Sequence, residues 1–200
     1  MGEVLVVLVA FAVGAVPFSY IVAHSVAGID LREVGTGTVS GTALYRVAGM
    51  TALLVGGVLD LAKGIPGPLL AGSDRPVLTA VAAAAAVAGH NWSPYIGGAG
   101  GRGLAPALGA FLVISWPASL LLLLGLALGR ILRQTGLATF LTVLALPLFL
   151  LVFVGAEESL AGLLVMAVIF VKRVLGNAPP AAAPTRPRVL THRLLFDNDG

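Results

Sequence analysis

The sequence predicts an all-α fold: a polytopic membrane helix bundle of about seven transmembrane helices with glycine-rich cytoplasmic loops. Three observations predict it. Of 200 residues, 58% are apolar and only 10% are charged. The mean hydropathy is +1.01. The apolar residues also fall into runs near the roughly 20 residues that a helix needs to cross a bilayer core. The chain has no cysteine, which excludes disulfides and thiolate metal sites. A net charge of +3 and a pI near 9.8 would suit nucleic acid, but the basic residues stand singly along loops and form no stripe. Membrane topology accounts for them, and no nucleic-acid partner is expected.

Taken in order, Val4 to Val26 is long enough to span. It lacks the basic leading region of a cleaved signal, carries Glu3 instead, and runs on past Pro17 without a small-residue cleavage site. Met50 to Leu70 is the second span. It holds Asp60 and Lys63 at i, i+3 on one helical face. Charges inside an apolar helix cost about 2.5 to 3.5 kcal/mol each on insertion scales unless they pair or meet water, so this face should look inward. A purely structural ion pair between helices is the alternative. Val77 to Ala88, nearly all Ala and Val, is the third span, and its small residues permit close packing.

Leu104 to Leu128 contains Pro106 and Pro117 and decides the topology. As one helix it would place Arg130 and Arg133 across the membrane from Arg32, Arg46 and Arg102. As a hairpin broken near Pro117 it gathers these, with Lys172 and Arg173, on one side and puts Glu157 and Glu158 on the other. The positive-inside rule favours the hairpin. Each half would be only about 18 Å long against a core of roughly 30 Å, which tilted, buried half-helices would accommodate. Thr135 to Gly155 and Leu160 to Leu175 complete the spans. The N-terminus is then outside, and the loops and C-terminus are cytoplasmic.

Two polar intervals carry the chemistry. In Gly28 to Gly49, the hydroxyls of Thr36, Thr38, Ser40 and Thr42 surround Arg46. Hydroxyl and N–H donors beside a guanidinium suit a phosphate, although a solvated turn anchored by an arginine gives the same pattern. The glycines there do not make a dinucleotide fingerprint, since no strand precedes them. In Gly89 to Gly103, GHNWSPYIGGAGGRG, the glycines at 97, 98, 100, 101 and 103 surround Arg102, so backbone N–H groups can approach a ligand closely. The run leads into a helix start at Leu104, a plausible anion seat. His90 and Asn91 lie at its entrance. As the one histidine in these intervals, His90 is a candidate proton acceptor, with capping of the preceding helix as the competing role.

The segments GAVPFSYIVA, GIDLREVGTGTVSGTALYRVAG, LDLAKG and GHNWSPYIGGAGGRGLAPALG, in this order and spacing, resemble the acyl-phosphate-dependent glycerol-3-phosphate acyltransferases, the PlsY family of bacterial inner-membrane enzymes. The resemblance covers Gly14 to about Gly109. It implies seven spans and transfer of a fatty acyl group from acyl phosphate to glycerol 3-phosphate, giving lysophosphatidic acid. The implied partners are those two substrates and membrane lipid, with no cofactor, no metal and no obligate protein partner.

Carried onto this chain, the family's Gly-Ser-Gly-Asn-x-Gly-Ala-Thr-Asn-x-x-Arg falls on Gly35 to Arg46, with Thr36 keeping the hydroxyl, Arg46 retained, and amides lost at Thr38 and Ala43. Its Lys-Gly-Gly-Lys-Gly falls on Ala99, Gly100, Gly101, Arg102 and Gly103, so one lysine is gone and the other is arginine. Near the C-terminus, Ala167 and Phe170 stand where the family has His and Asn, followed by Lys172, Arg173 and Leu175.

On this reading Arg46, Arg102 and the N–H groups of Gly100, Gly101 and Gly103 contact phosphate. Thr36 and Thr38 orient it, Asn91 adds a donor, Lys63 and Asp60 support them from behind, and His90 takes the proton. The departures leave a weakened homologue that binds lipid or assists another acyltransferase as an alternative. The intramembrane Asp60 and Lys63 leave a small transporter as a second.

Residues 1–176 would form the transmembrane acyltransferase-like domain. Residues 177–200 would form a Pro/Ala linker and a short cytoplasmic tail, in which Val189, Leu190, Leu194, Leu195 and Phe196, flanked by Arg188, His192 and Arg193, make an amphipathic helix on the inner leaflet. His192 could alternatively fold back to replace the missing family histidine.

Overall fold

The computed structural model describes residues 2–177 and 187–196. Among them the regular structure is entirely helical: α1 Glu3–Ala15, α2 Phe18–Ala27, α3 Gly41–Ala62, α4 Pro66–Ala71, α5 Pro76–Asn91, α6 Leu104–Ile114, α7 Trp116–Ile131, α8 Thr135–Phe153, α9 Ala156–Leu175 and α10 Pro187–Phe196, with 3₁₀ turns at Leu31–Glu33 and Pro94–Ile96. Most of the expected Pro/Ala linker lies outside the described residues.

The first apolar run is not one continuous helix. Val16, preceding Pro17, is forced out of the helical region to φ −58°, ψ 119°, so α1 stops and α2 starts beyond the proline. The carbonyls this break frees are taken by side chains from elsewhere. Lys63 Nζ donates to Val16 O at 2.7 Å, Ser93 Oγ to Ala15 O at 2.6 Å and Tyr95 Oη to Ala12 O at 3.3 Å. The second run is longer than expected, because α3 begins at Gly41, inside the segment read as a polar interval. It is interrupted at Gly49, whose φ of 80° is one that L side chains rarely adopt.

The run from Leu104 is indeed a hairpin. It breaks at Ser115, with Pro117 in the first turn of α7, where a missing N–H costs nothing. The hairpin returns Arg130 to the end of the bundle that holds α3's first turns, where its guanidinium lies 5.8 Å over the Tyr45 ring. At 1.5 Å per residue α6 is only about 17 Å long.

α5 is the hub. Its alanines Ala80, Ala83 and Ala86 are fully buried, and α1 approaches so closely that a Cβ on Gly14 would overlap the Ala86 carbonyl and one on Gly89 the Phe11 carbonyl. α9 packs on the other side, where Val165 and Ile169 join Val87, Phe111, Val143 and Leu146 in the largest apolar core.

The outward faces remain apolar: Val58, Leu148 and Phe153 are each more than 60% exposed. So much exposed hydrocarbon is what a lipid-facing surface requires. Three stretches, Glu3–Ala27, Gly41–Ala71 and Thr135–Phe153, are long and apolar enough by themselves to cross a membrane, and α6 and α7 are shorter apolar helices. α9 carries Glu157 and Glu158 in its first turn and Lys172 and Arg173 in its last, the arrangement its dipole favours.

Within the tail, α10 packs against the ends of α8 and α9. Arg173 Nη1 donates to both Gly136 O and Leu194 O, at 3.0 and 2.9 Å, and Arg193 Nη1 donates to Leu175 O at 3.2 Å. His192 is exposed, its ring 5.2 Å from that of Phe196.

Candidate active site

The two glycine-rich loops meet at one end of the bundle. Val39 N donates to Gly100 O at 3.1 Å, and the second loop is folded on itself by Gly98 N to Ser93 O at 2.8 Å, Ser93 N to Ala99 O at 3.0 Å and Gly101 N to His90 O at 3.1 Å. Glycine is required here by space. A Cβ on Gly100 would overlap the His90 and Asn91 carbonyls, and one on Gly101 would overlap His90 Nε2 and crowd Val39 O. Gly103, at φ 80°, turns the chain into α6. In the first loop Ser40 caps α3 by accepting from Ala43 N at 3.3 Å. The Thr36 and Thr38 hydroxyls lie 3.0 Å apart, Thr38 buried and Thr36 exposed. Beside this loop Asp30 accepts from Arg32, whose guanidinium holds the carboxyl below its usual range.

Beneath the second loop is a buried polar cluster. Asp60 Oδ1 lies 2.8 Å from Lys63 Nζ and 3.8 Å from His90 Nδ1, while Asp60 Oδ2 accepts from Ser19 Oγ at 2.5 Å. Asp60 and Lys63 therefore pair and face inward. His90 presents one ring nitrogen towards the carboxylate and the other towards Gly101.

The end of α9 closes the site from the third side. Asn177 Nδ2 donates to Gly100 O at 2.8 Å and to Thr38 Oγ1 at 3.4 Å. Its Oδ1 accepts from Gly100 N at 3.2 Å and from Lys172 Nζ at 2.6 Å. Arg102 Nη1 donates to the Lys172 carbonyl at 3.3 Å, and Lys172 Nζ lies 5.3 Å from the Trp92 ring centre.

Thr36, Thr38, Gly100, Gly101, Gly103, Arg102, His90, Asp60 and Lys63 are thus brought into one neighbourhood. Asn91 is fully buried, its Nδ2 donating to Val168 O at 3.5 Å and its Oδ1 lying against Gly103, where a Cβ would crowd it. Arg46, in the first turns of α3, is exposed and makes no hydrogen bond or ion pair among the described residues.

Sequence reasoning used Lys172 only as a topological charge and Asn177 only as the start of the tail; Ser19 and Ser93 it passed over. The basic pair Lys172 and Arg173, directly following an apolar run in α9, was the available signal. Phe170, which the resemblance sets at the family's Asn position, stacks on Phe140 with ring centres 5.0 Å apart.

The family model described as glycerol-3-phosphate acyltransferase matches residues 4–178. Among curated relatives, a glycerol-3-phosphate acyltransferase of Synechococcus sp. (strain CC9902) is 31% identical over 94% of this chain and 96% of its own length. One of Geobacter sulfurreducens is 34% identical over 86% and 89%. The crystal structure of PlsY, an integral membrane glycerol 3-phosphate acyltransferase, in its glycerol 3-phosphate form superposes with a TM-score of 0.76 at 29% identity, covering 86% of this chain and 88% of that one. Its lysophosphatidic acid form gives 0.73 at 26% identity. The motif order, the helical architecture and these matches agree: the chain belongs to the glycerol-3-phosphate acyltransferase family.

Proposed function

We propose that this protein transfers a fatty acyl group from an acyl phosphate to glycerol 3-phosphate, giving lysophosphatidic acid and inorganic phosphate. One observation carries the reading beyond family membership. The two glycine-rich loops join through Val39 and Gly100 directly above the buried Asp60, Lys63 and His90 cluster, so amide donors, a guanidinium and a base share one site.

The chemistry asks for little more. The acceptor hydroxyl oxygen attacks the acyl carbonyl carbon, the carbon–oxygen bond to phosphate breaks, and phosphate leaves with the bonding pair. Backbone N–H groups at Gly100, Gly101 and Gly103, with Arg102 and Arg46, hold the two phosphates side by side and steady the oxyanion. Thr36 and Thr38 orient the phosphate. Asn91 and the Asp60–Lys63 pair hold the second loop in shape, and His90 accepts the hydroxyl proton. Seven spans in the bacterial inner membrane, N-terminus outside and both loops in the cytoplasm, complete the reading. The gathering of Arg102, Lys172 and the α3–α7 basic residues at one end supports that orientation.

The relatives favour this reading over a transporter, and the paired state of Asp60 and Lys63 does so too, since neither charge needs a transported ion to balance it. Purified protein supplied with palmitoyl phosphate and glycerol 3-phosphate is expected to release phosphate and form lysophosphatidic acid at a rate that Arg102→Ala lowers at least tenfold. Rescue of a strain lacking its own acyltransferase separates a working enzyme from a weakened homologue. No product from the wild-type chain would reject the assignment.

A further inference from the structure

Two donors converge on a single oxygen at the junction of the loops and α9. Asn177 Oδ1 accepts from Lys172 Nζ at 2.6 Å and from Gly100 N at 3.2 Å. A cation and a backbone N–H aimed at one sp² oxygen is the coordination that a phosphate oxygen takes in a glycine-rich loop. The amide oxygen of Asn177 is a weaker acceptor in the same place.

The charge balance points the same way. The Lys172 side chain is buried, with the residue only 1% exposed. Among the described residues its ammonium meets no carboxylate, only the Asn177 amide, the Trp92 ring and the neighbourhood of Arg102, which binds its carbonyl. The other buried lysine of the site, Lys63, has Asp60. Burying an ammonium without an anion is costly, and fold stability gains nothing from placing one there. Asn177 is also placed to yield: it follows Gly176, at φ 68°, in the short connection past the end of α9.

We infer that Lys172 and the Gly100 N–H form a phosphate seat, and that Asn177 fills this seat with its own amide oxygen and exchanges with the incoming phosphate. The inference rests on the acyltransferase reading for the identity of the ligand, either the acyl phosphate or glycerol 3-phosphate. Its chemistry, a phosphate group bound by Lys172, is testable without turnover.

Isothermal titration calorimetry of inorganic phosphate into the full-length, detergent-purified protein decides it. Lys172→Met is expected to weaken phosphate binding at least tenfold, Lys172→Arg to recover most of it, and Asn177→Ala, which removes the competitor and keeps the lysine, to bind at least threefold more tightly than wild type. A structural role for Lys172 would give no tightening in Asn177→Ala. Phosphate binding in Lys172→Met equal to wild type, or no gain in Asn177→Ala, overturns the seat; Asn177→Ala alone decides if Lys172→Met does not fold. Absence of acyl transfer by the wild-type chain would reject the proposed function and leave the calorimetric result standing. In an active enzyme, the substrate whose KM rises in Lys172→Met is the one seated there.

Discussion

Asp60 holds Lys63 at 2.8 Å with one carboxylate oxygen and the hydroxyl of Ser19 at 2.5 Å with the other, so a single buried anion ties α2 to the end of α3. Lys63 in turn caps the broken end of α1 through Val16 O. Asp60→Ala strands a buried ammonium, and losing one partner of such a pair costs about 3 to 5 kcal/mol. The expected result is a markedly lower unfolding midpoint in detergent, with part of the loss recovered when Lys63→Met is added. An unchanged midpoint in Asp60→Ala would mean that the pair contributes nothing.

Gly101 is the point where the second loop touches His90. A methyl group there overlaps Nε2 and crowds Val39 O, so Gly101→Ala must push the loop off the imidazole or off the first loop. Acyl-transfer rate should fall at least tenfold while the unfolding midpoint drops less than in Asp60→Ala, because the strain is confined to one end of the bundle. Equal rates for variant and wild type would show that the contact does not matter to turnover.

The approach of α6 to the end of α3 and the turn beyond it is set by two glycines: a Cβ on Gly109 would overlap the Leu61 carbonyl, and one on Gly64 the Pro106 carbonyl. Overpacking of this kind costs about 1 to 3 kcal/mol. Gly109→Val should therefore lower the midpoint by several degrees, and Gly57→Val, which meets only the end of the Leu53 side chain, by much less. A reversed order would refute the packing account.

Arg173 is buried and staples three helices, donating to Gly136 O, Leu194 O and the Thr139 hydroxyl, the last at 2.5 Å. Arg173→Ala should release α10, seen as at least tenfold faster trypsin cleavage beyond residue 177 by intact mass. Cleavage at the wild-type rate would show that other contacts hold the tail.

Much of the architecture could be read from the residues alone, and the reasons are particular. The hairpin was legible because Arg130 and Arg133 have a sign and a side, and Pro117 marks the region of the break. The inward pairing of Asp60 and Lys63 followed from the cost of an isolated charge in hydrocarbon. The convergence of the loops was foreshadowed by glycines that have no use in a plain turn. What stayed hidden depended on contacts between distant parts of the chain. The α1–α2 break needs partners from Lys63 and Ser93 to be stable, and the helical start of α3 at Gly41 is set by the Ser40 cap against a run of hydroxyl residues that favour turns. The place of Asn177 is fixed by Lys172 nearby and by Gly100 and Thr38, 77 and 139 positions away. Arg46, singled out for its type, sits exposed in the first turns of α3, and which contacts it makes there was not legible from its type.

The interruption at Val16 and Pro17 also bears on biogenesis. Its exposed carbonyls wait for Lys63 and Ser93, made 47 and 78 residues later, and hydrocarbon offers them no substitute donor in the interval. A ribosome delivering this chain therefore inserts α1 and α2 before the donors that satisfy the break between them exist, and that break cannot reach its final shape until the fifth helix has been synthesised.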